Sequence, residues 1–165
     1  MKHRKIDLTS RTKCGILAID LGNTIIDKDK RPFPHALRVI KRLKSERFKQ
    51  VVIISKVTPE QEVKARIFLE SGEFTGETGI SMDNVYFCAE RNEKGPICRD
   101  LHVAYFLDDR PEGLVHAWGV EHRILYNPTE QDCLSYEKQI TDFPIVRTWL
   151  EVEGLFFGGK HSQNF

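Results

Sequence analysis

The chain has 165 residues, with 25 basic against 24 acidic side chains, six histidines and 40% hydrophobic residues. That length suits one ordinary domain with a real core, and the balanced charge excludes the broad basic field that wraps nucleic acid or an anionic membrane. Cys14, Cys88, Cys98 and Cys133 form no Cys-x-x-Cys pair, which argues against a zinc ribbon or a redox dithiol, and no apolar run approaches the ~20 residues that span a bilayer.

Residues 1–13 are basic and polar and lack the apolar core of a secretory signal. A loosely held N-terminal arm and a reduced, cytoplasmic setting are the expectation. The first strand, residues 14–20, is the apolar run Gly15-Ile16-Leu17-Ala18-Ile19 closed by Asp20. After a polar connection through residues 28–34, Ala36, Leu37, Val39, Ile40 and Leu43 have the three-and-four spacing of an amphipathic helix over residues 35–45. The β-branched run at 51–54, ending in Ser55, reads as a strand covered on both faces. Thr58-Pro59-Glu60-Gln61 combines an N-cap, a proline at the first helical position and a glutamine three residues after the cap, so a helix should run to about Ser71. Residues 72–84 are glycine-rich and read as loop.

Further strands are expected at 85–88, 103–107 and 123–126, with short helices at 95–101 and 111–117 between them. Asp142-Phe143-Pro144 is expected to open a last helix whose Ile145, Val146, Trp149 and Leu150 share one face. Residues 158–165 read as a frayed tail. Strands separated by helices predict a parallel, three-layer αβα sheet with right-handed crossovers. Trp118, Trp149, Phe156 and Phe157 fit packing roles, and His35, His102, His116 and His122 have no ligand spacing.

Three of these strands end in polar groups: Asp20, Ser55 and the pair Asp108-Asp109. In open α/β sheets the carboxyl edge is where ligands bind. A carboxylate at a strand end suits a nucleophile, although an Asp there also serves as a turn or helix cap. Two adjacent carboxylates repel unless a cation or base neutralises them, and Mg²⁺ takes such hard oxygen donors. A Ser after a strand and a Lys before Gly-Pro are, taken singly, turn and surface residues; Arg91 and Arg99 compete with Lys94 for any anion-binding role.

In their order, Asp20, Thr24, Ser55, Lys94 and Asp108-Asp109 resemble the motifs of the haloacid dehalogenase-like (HAD) hydrolase superfamily, across roughly residues 14–126. The resemblance implies a Rossmann-like, HAD-like domain over residues 14–157 and an Mg²⁺-dependent phosphoryl transfer with Asp20 as nucleophile. It implies a metal site of Asp20, the Gly22 carbonyl, Asp108 and Asp109. Ser55 and Lys94, with Thr24 and the main chain at Gly22 and Asn23, would hold the phosphoryl oxygens of a phosphorylated small molecule or macromolecule. The chain departs from the family at Gly22, where phosphatases carry a second Asp that protonates the leaving group, and at Asn23, where a glycine is usual. Little sequence is left for a cap, so a capless member is expected, with a flap near residues 28–35 whose Lys28, Lys30 and Arg31 are either phosphate contacts or solvated charges. Two other readings stand beside this one: a HAD-like binding module without catalysis, and the Asp-x-Gly-x-Thr phosphate loop of actin-like kinases, which Asp20 to Thr24 also fits.

Overall fold

The computed structural model describes residues 12–158; the expected arm and tail lie almost wholly outside them. Six strands form one parallel sheet: β1 (Cys14–Ile19), β2 (Phe48–Lys56), β3 (Val85–Cys88), β4 (Val103–Asp108), β5 (His122–Tyr126) and β6 (Ile145–Val146). Their order is β3-β2-β1-β4-β5-β6. This is a Rossmann-like α/β fold.

Alternation along each strand divides the core in two. Leu17, Ile19, Val51, Ile53, Leu107 and Ile124 pack with α1 (Ala36–Arg42), α2 (Pro59–Leu69), α3 (Gly72–Thr78) and α8 (Trp149–Phe157). Ala18, Val52, Ile54, Phe106 and Leu125 pack with α4 (Lys94–Asp100), α5 (Pro111–His116) and α7 (Glu137–Ile140); Cys133 of α6 (Glu130–Ser135) joins them. Both faces of the sheet are covered, which is why its strands read as continuous apolar runs. No large cap is present among the described residues, and none of their helices is long and apolar enough to cross a membrane.

Two expected elements differ. The stretch expected as loop contains α3, because Ser71 caps it by accepting from the Phe74 N–H, Phe74 is fully buried against Phe68, and Gly79 supplies the left-handed C-cap at φ 67°. The last helix begins later than expected. Ile145 and Val146 pair with Leu125 and Tyr126 as an edge strand, and Thr148, accepting from the Glu151 N–H at 3.2 Å, caps α8. A β-branched pair after Pro144 fits an edge strand better than a first helical turn. Leu150 is accordingly 41% exposed instead of sharing the buried face.

The segment between β1 and α1 is a tight double turn. Ile25 and Ile26 are buried, their N–H groups both bond the Leu21 carbonyl, and Asp27 Oδ1 accepts from the N–H groups of Asp29 and Arg31.

Candidate functional site

Strand order reverses at β1, whose neighbours are β2 on one side and β4 on the other. Such a switch point opens a crevice beyond the carboxyl ends of the strands. The register aligns Ile19 with Leu107, and the Asp20 N–H bonds the Leu107 carbonyl at 2.9 Å, so Asp20 and Asp108 arrive side by side. Ser55 comes from the neighbouring end of β2. Lys94 arrives from below, at the start of α4, where the Glu93 carboxylate ties the preceding turn by accepting from the N–H groups of Ala89 and Glu90 at 2.8 and 2.9 Å.

These groups meet. Lys94 Nζ donates to Asp20 Oδ1 at 2.8 Å and to Asp108 Oδ2 at 2.7 Å, with all three residues buried. The second Asp108 oxygen accepts the Arg110 N–H at 2.9 Å. Carboxylate oxygens of Asp20, Asp108 and Asp109 lie within 4.8 Å of one another. Above them is an open cleft of about 260 Å³ whose lining includes Asp20, Gly22, Asn23, Ser55, Lys94 and Asp109.

Two glycines make this packing possible. A Cβ on Gly113 would lie 2.5 Å from Asp108 Oδ2, and one on Gly95 would strike the His116 carbonyl. Neither glycine stands out in the sequence, since each sits in a short helix where the usual reading is a weak helix former.

Electrostatics reflect the crowding. Burial pushes the Asp20 carboxyl up to about 6; Asp108 adds to the rise and Lys94 opposes it. Asp109 is pushed up to about 8, by burial first and then by Asp20 and Asp108, against Lys94 and Arg110. Burial pulls Lys94 down, but Asp108 and Asp20 outweigh it and its ammonium is held above its ordinary range. Three buried carboxylates thus face one buried ammonium, and full ionisation leaves an excess of negative charge that Arg110 offsets only in part. Asp109 accepts no hydrogen bond among the described residues. A divalent cation with a preference for hard oxygen ligands fits this donor set: Asp20, Asp108 and Asp109, with Gly22 on the adjoining wall.

Thr24 lies elsewhere. It is fully buried, is not part of the cleft lining, and its carbonyl accepts the Trp149 indole N–H at 2.9 Å. Lys28, Lys30 and Arg31 are also absent from the lining. Of the two competitors of Lys94, Arg91 lines the cleft, whereas Arg99 stacks over Trp118 at 4.6 Å. Trp118, expected to pack, is 69% exposed beneath that guanidinium.

The cleft also contains Lys56, Gln61 and Arg110, which sequence reasoning passed over. Each is adjacent to, or capped onto, an element already singled out: Lys56 follows Ser55, Arg110 follows Asp109, and Gln61 closes the capping box of α2. Gly22 leaves its wall bare, since a Cβ there would meet nothing within 4 Å. Asn23 has φ 56°, the left-handed conformation that glycine adopts freely and asparagine tolerates.

No family model matches the chain. It is similar to a de novo designed Rossmann 3x3 fold protein at 13% identity, over 91% of this chain and 97% of that one, with a TM-score of 0.46. A hypothetical protein from Geobacillus kaustophilus HTA426 is 13% identical over 87% of this chain and 96% of its own, with a TM-score of 0.45. The fold class rests on the strand order itself. All four cysteines, Cys14, Cys88, Cys98 and Cys133, are free thiols; Cys88 and Cys98 are buried, and burial raises them to about 11 and about 12, away from the thiolate form.

Proposed function

We propose that the protein is a HAD-like hydrolase that transfers phosphoryl groups through Asp20. The observation that carries this reading is the buried contact between Asp20 and Lys94 at 2.8 Å, at the floor of a cleft that Asp109 and Ser55 also line, with Asp108 buried beside it. The Lys94 ammonium opposes the upward push of burial on the Asp20 carboxyl and favours its ionised form, the form in which a carboxylate is a nucleophile.

In this scheme an Asp20 oxygen attacks phosphorus, the bond to the leaving oxygen breaks, and water later cleaves the aspartyl phosphate. Lys94 holds Asp20 in place and offers positive charge to the phosphoryl oxygens; the Ser55 hydroxyl, on the cleft wall, donates a hydrogen bond to one of them. Mg²⁺ held by Asp20, Asp108, Asp109 and the Gly22 carbonyl would supply charge neutralisation for the incoming phosphate. No carboxylic acid stands at position 22 to protonate the leaving group. Substrates with leaving groups that depart as stable anions are therefore favoured. The absence of a large cap among the described residues suits a phosphorylated macromolecule as well as a small molecule, and the free thiols suit a reduced, cytoplasmic setting.

The same bare position favours a second reading, a HAD-like module that binds phosphorylated ligands without turning them over. A panel of phosphate monoesters with Mg²⁺, run on the wild type and on Asp20→Asn, separates the two. Turnover abolished by Asp20→Asn supports the hydrolase. Binding of phosphorylated ligands with no turnover in either protein supports the module.

A further inference from the structure

Beyond the groups assigned to the phosphoryl centre, the cleft wall holds three cations, Lys56, Arg91 and Arg110, for which that chemistry has no use. They come from three elements, the end of β2, the turn before α4 and the loop after β4. Lys94 is separate from them: it lies on the floor, paired with Asp20 and Asp108, and belongs to the phosphoryl centre.

Two of the three are braced from behind. Arg110 Nη1 lies 3.1 and 3.3 Å from the oxygens of Asp132, and Asp132 is itself held by the Thr129 hydroxyl at 2.7 Å. Arg91 Nη1 is 3.5 Å from Glu112. Each brace uses one nitrogen of the guanidinium and leaves the other donors of a rigid fork. Lys56 makes no ion pair among the described residues. Gln61 Oε1 accepts from the Thr58 N–H at 2.9 Å, so its amide nitrogen is an uncommitted donor on the same wall. The cleft volume of about 260 Å³ is many times the ~10–15 Å³ that one water needs on the same measure, which leaves room for more than a single phosphoryl group.

We infer that the cleft takes substrates carrying a second phosphate or comparable dianion beside the scissile phosphoryl group, with Lys56, Arg91 and Arg110 as its receptor. The inference rests on the phosphoryl reading of the floor and adds the substrate class. A molecule of this kind has one anionic group over Asp20 and Lys94 and another among the three cations, with charge-assisted hydrogen bonds at both ends.

The probes are methylphosphonate and methylenediphosphonate, titrated calorimetrically into the protein with excess Mg²⁺ and again with chelator. Neither contains a P–O–P or ester bond, so binding is read without hydrolysis. The wild type should bind the diphosphonate about tenfold tighter or more, the size of one or two charge-assisted hydrogen bonds. Lys56→Met with Arg91→Met should bring the ratio of the two affinities close to one. Both side chains are at the cleft surface, and an unchanged melting temperature verifies that the variant is folded. A wild-type ratio near one, or a ratio that the double variant preserves, overturns the inference and leaves the phosphoryl site standing. If neither probe binds with Mg²⁺ present, the phosphoryl reading falls and this inference with it.

Discussion

Lys94 Nζ stands 2.7 Å from Asp108 Oδ2, and Asp108 has no exposure to solvent. The ammonium is therefore a structural charge as well as a candidate functional one, because it is the nearest compensation for two buried carboxylates. Removing one partner of a buried pair leaves the other uncompensated, at a cost of ~3–5 kcal/mol. Lys94→Met should lower unfolding stability by about that amount in urea titrations with chelator present. A loss well under 1 kcal/mol would mean that Asp20 and Asp108 are not held as charges by Lys94. Gly113→Ala should act in the same direction, since its Cβ would intrude on Asp108 and lie 3.5 Å from the Lys94 Cδ.

The cluster of Asp20, Asp108 and Asp109 should make stability depend on divalent cations. A cation that binds only the folded state adds ~2.7 kcal/mol at a hundred times its dissociation constant. Mg²⁺ should raise the melting temperature and Asp109→Asn should weaken the response. Identical melting curves in saturating Mg²⁺ and in chelator would argue against a cation site at these residues.

Gly22 offers a direct test of the missing acid. An aspartate side chain there finds open space at its Cβ, and glycine is favourable at the left-handed position 23. Gly22→Asp, alone or with Asn23→Gly, should raise phosphatase turnover toward the ~10²–10⁴-fold range of general acid–base catalysis. The gain should be larger for an alkyl phosphate than for an activated aryl phosphate, since an alkoxide needs the proton. A folded variant that responds to Mg²⁺ yet gains on neither substrate would favour the binding module.

Acid should loosen the contact between α1 and α8. Glu153 of α8 accepts from Arg38 at 2.9 and 3.0 Å and from Arg42 at 3.0 Å. Hydrogen bonds from Arg38 lead in holding its carboxyl down to about 2, burial opposes, and Arg42 adds to the fall from the ordinary 4.5. A depressed folded value stabilises above the unfolded one, so the contribution is complete above about pH 4.5 and is lost as pH drops toward 2. Both arginines are more than a third exposed, and screening limits the effect to ~1 kcal/mol. Glu153→Gln should cost about that at pH 7 by urea titration, with the difference from wild type shrinking toward zero near pH 2. A difference that stays constant over this range would refute the ion-pair account.

Much of this architecture is local and was legible in the sequence. The runs ending in Asp20, Ser55 and Asp108 announce both a strand and a polar terminus, and Thr58 to Gln61 announces a helix start that the structure closes as a full capping box. What escaped is what depends on distant partners. Gly72, Gly76 and Gly79 suggest a loop, but the burial of Phe74 makes that stretch a helix. Ile145 and Val146 become strand because β5 offers them an edge. In α6 no residue is buried, so no apolar stripe marked it, yet its Asp132 braces Arg110 at the cleft. Lys56 and Arg110 read as ordinary surface charges, and Arg91 only as a competitor of Lys94, until the strand order brings their elements to one crevice.

The bond from the Trp149 indole to the Thr24 carbonyl spans 125 positions. It joins the segment that follows β1 to the first residue of α8, so the loop carrying Asp20, Gly22 and Asn23 acquires its last internal support only when residue 149 is available. On a ribosome, which delivers the chain in order, Asp20 emerges early and waits. A nascent fragment lacking α8 would hold every candidate site residue, with the loop that follows β1 resting on its own turns and without the Trp149 bond.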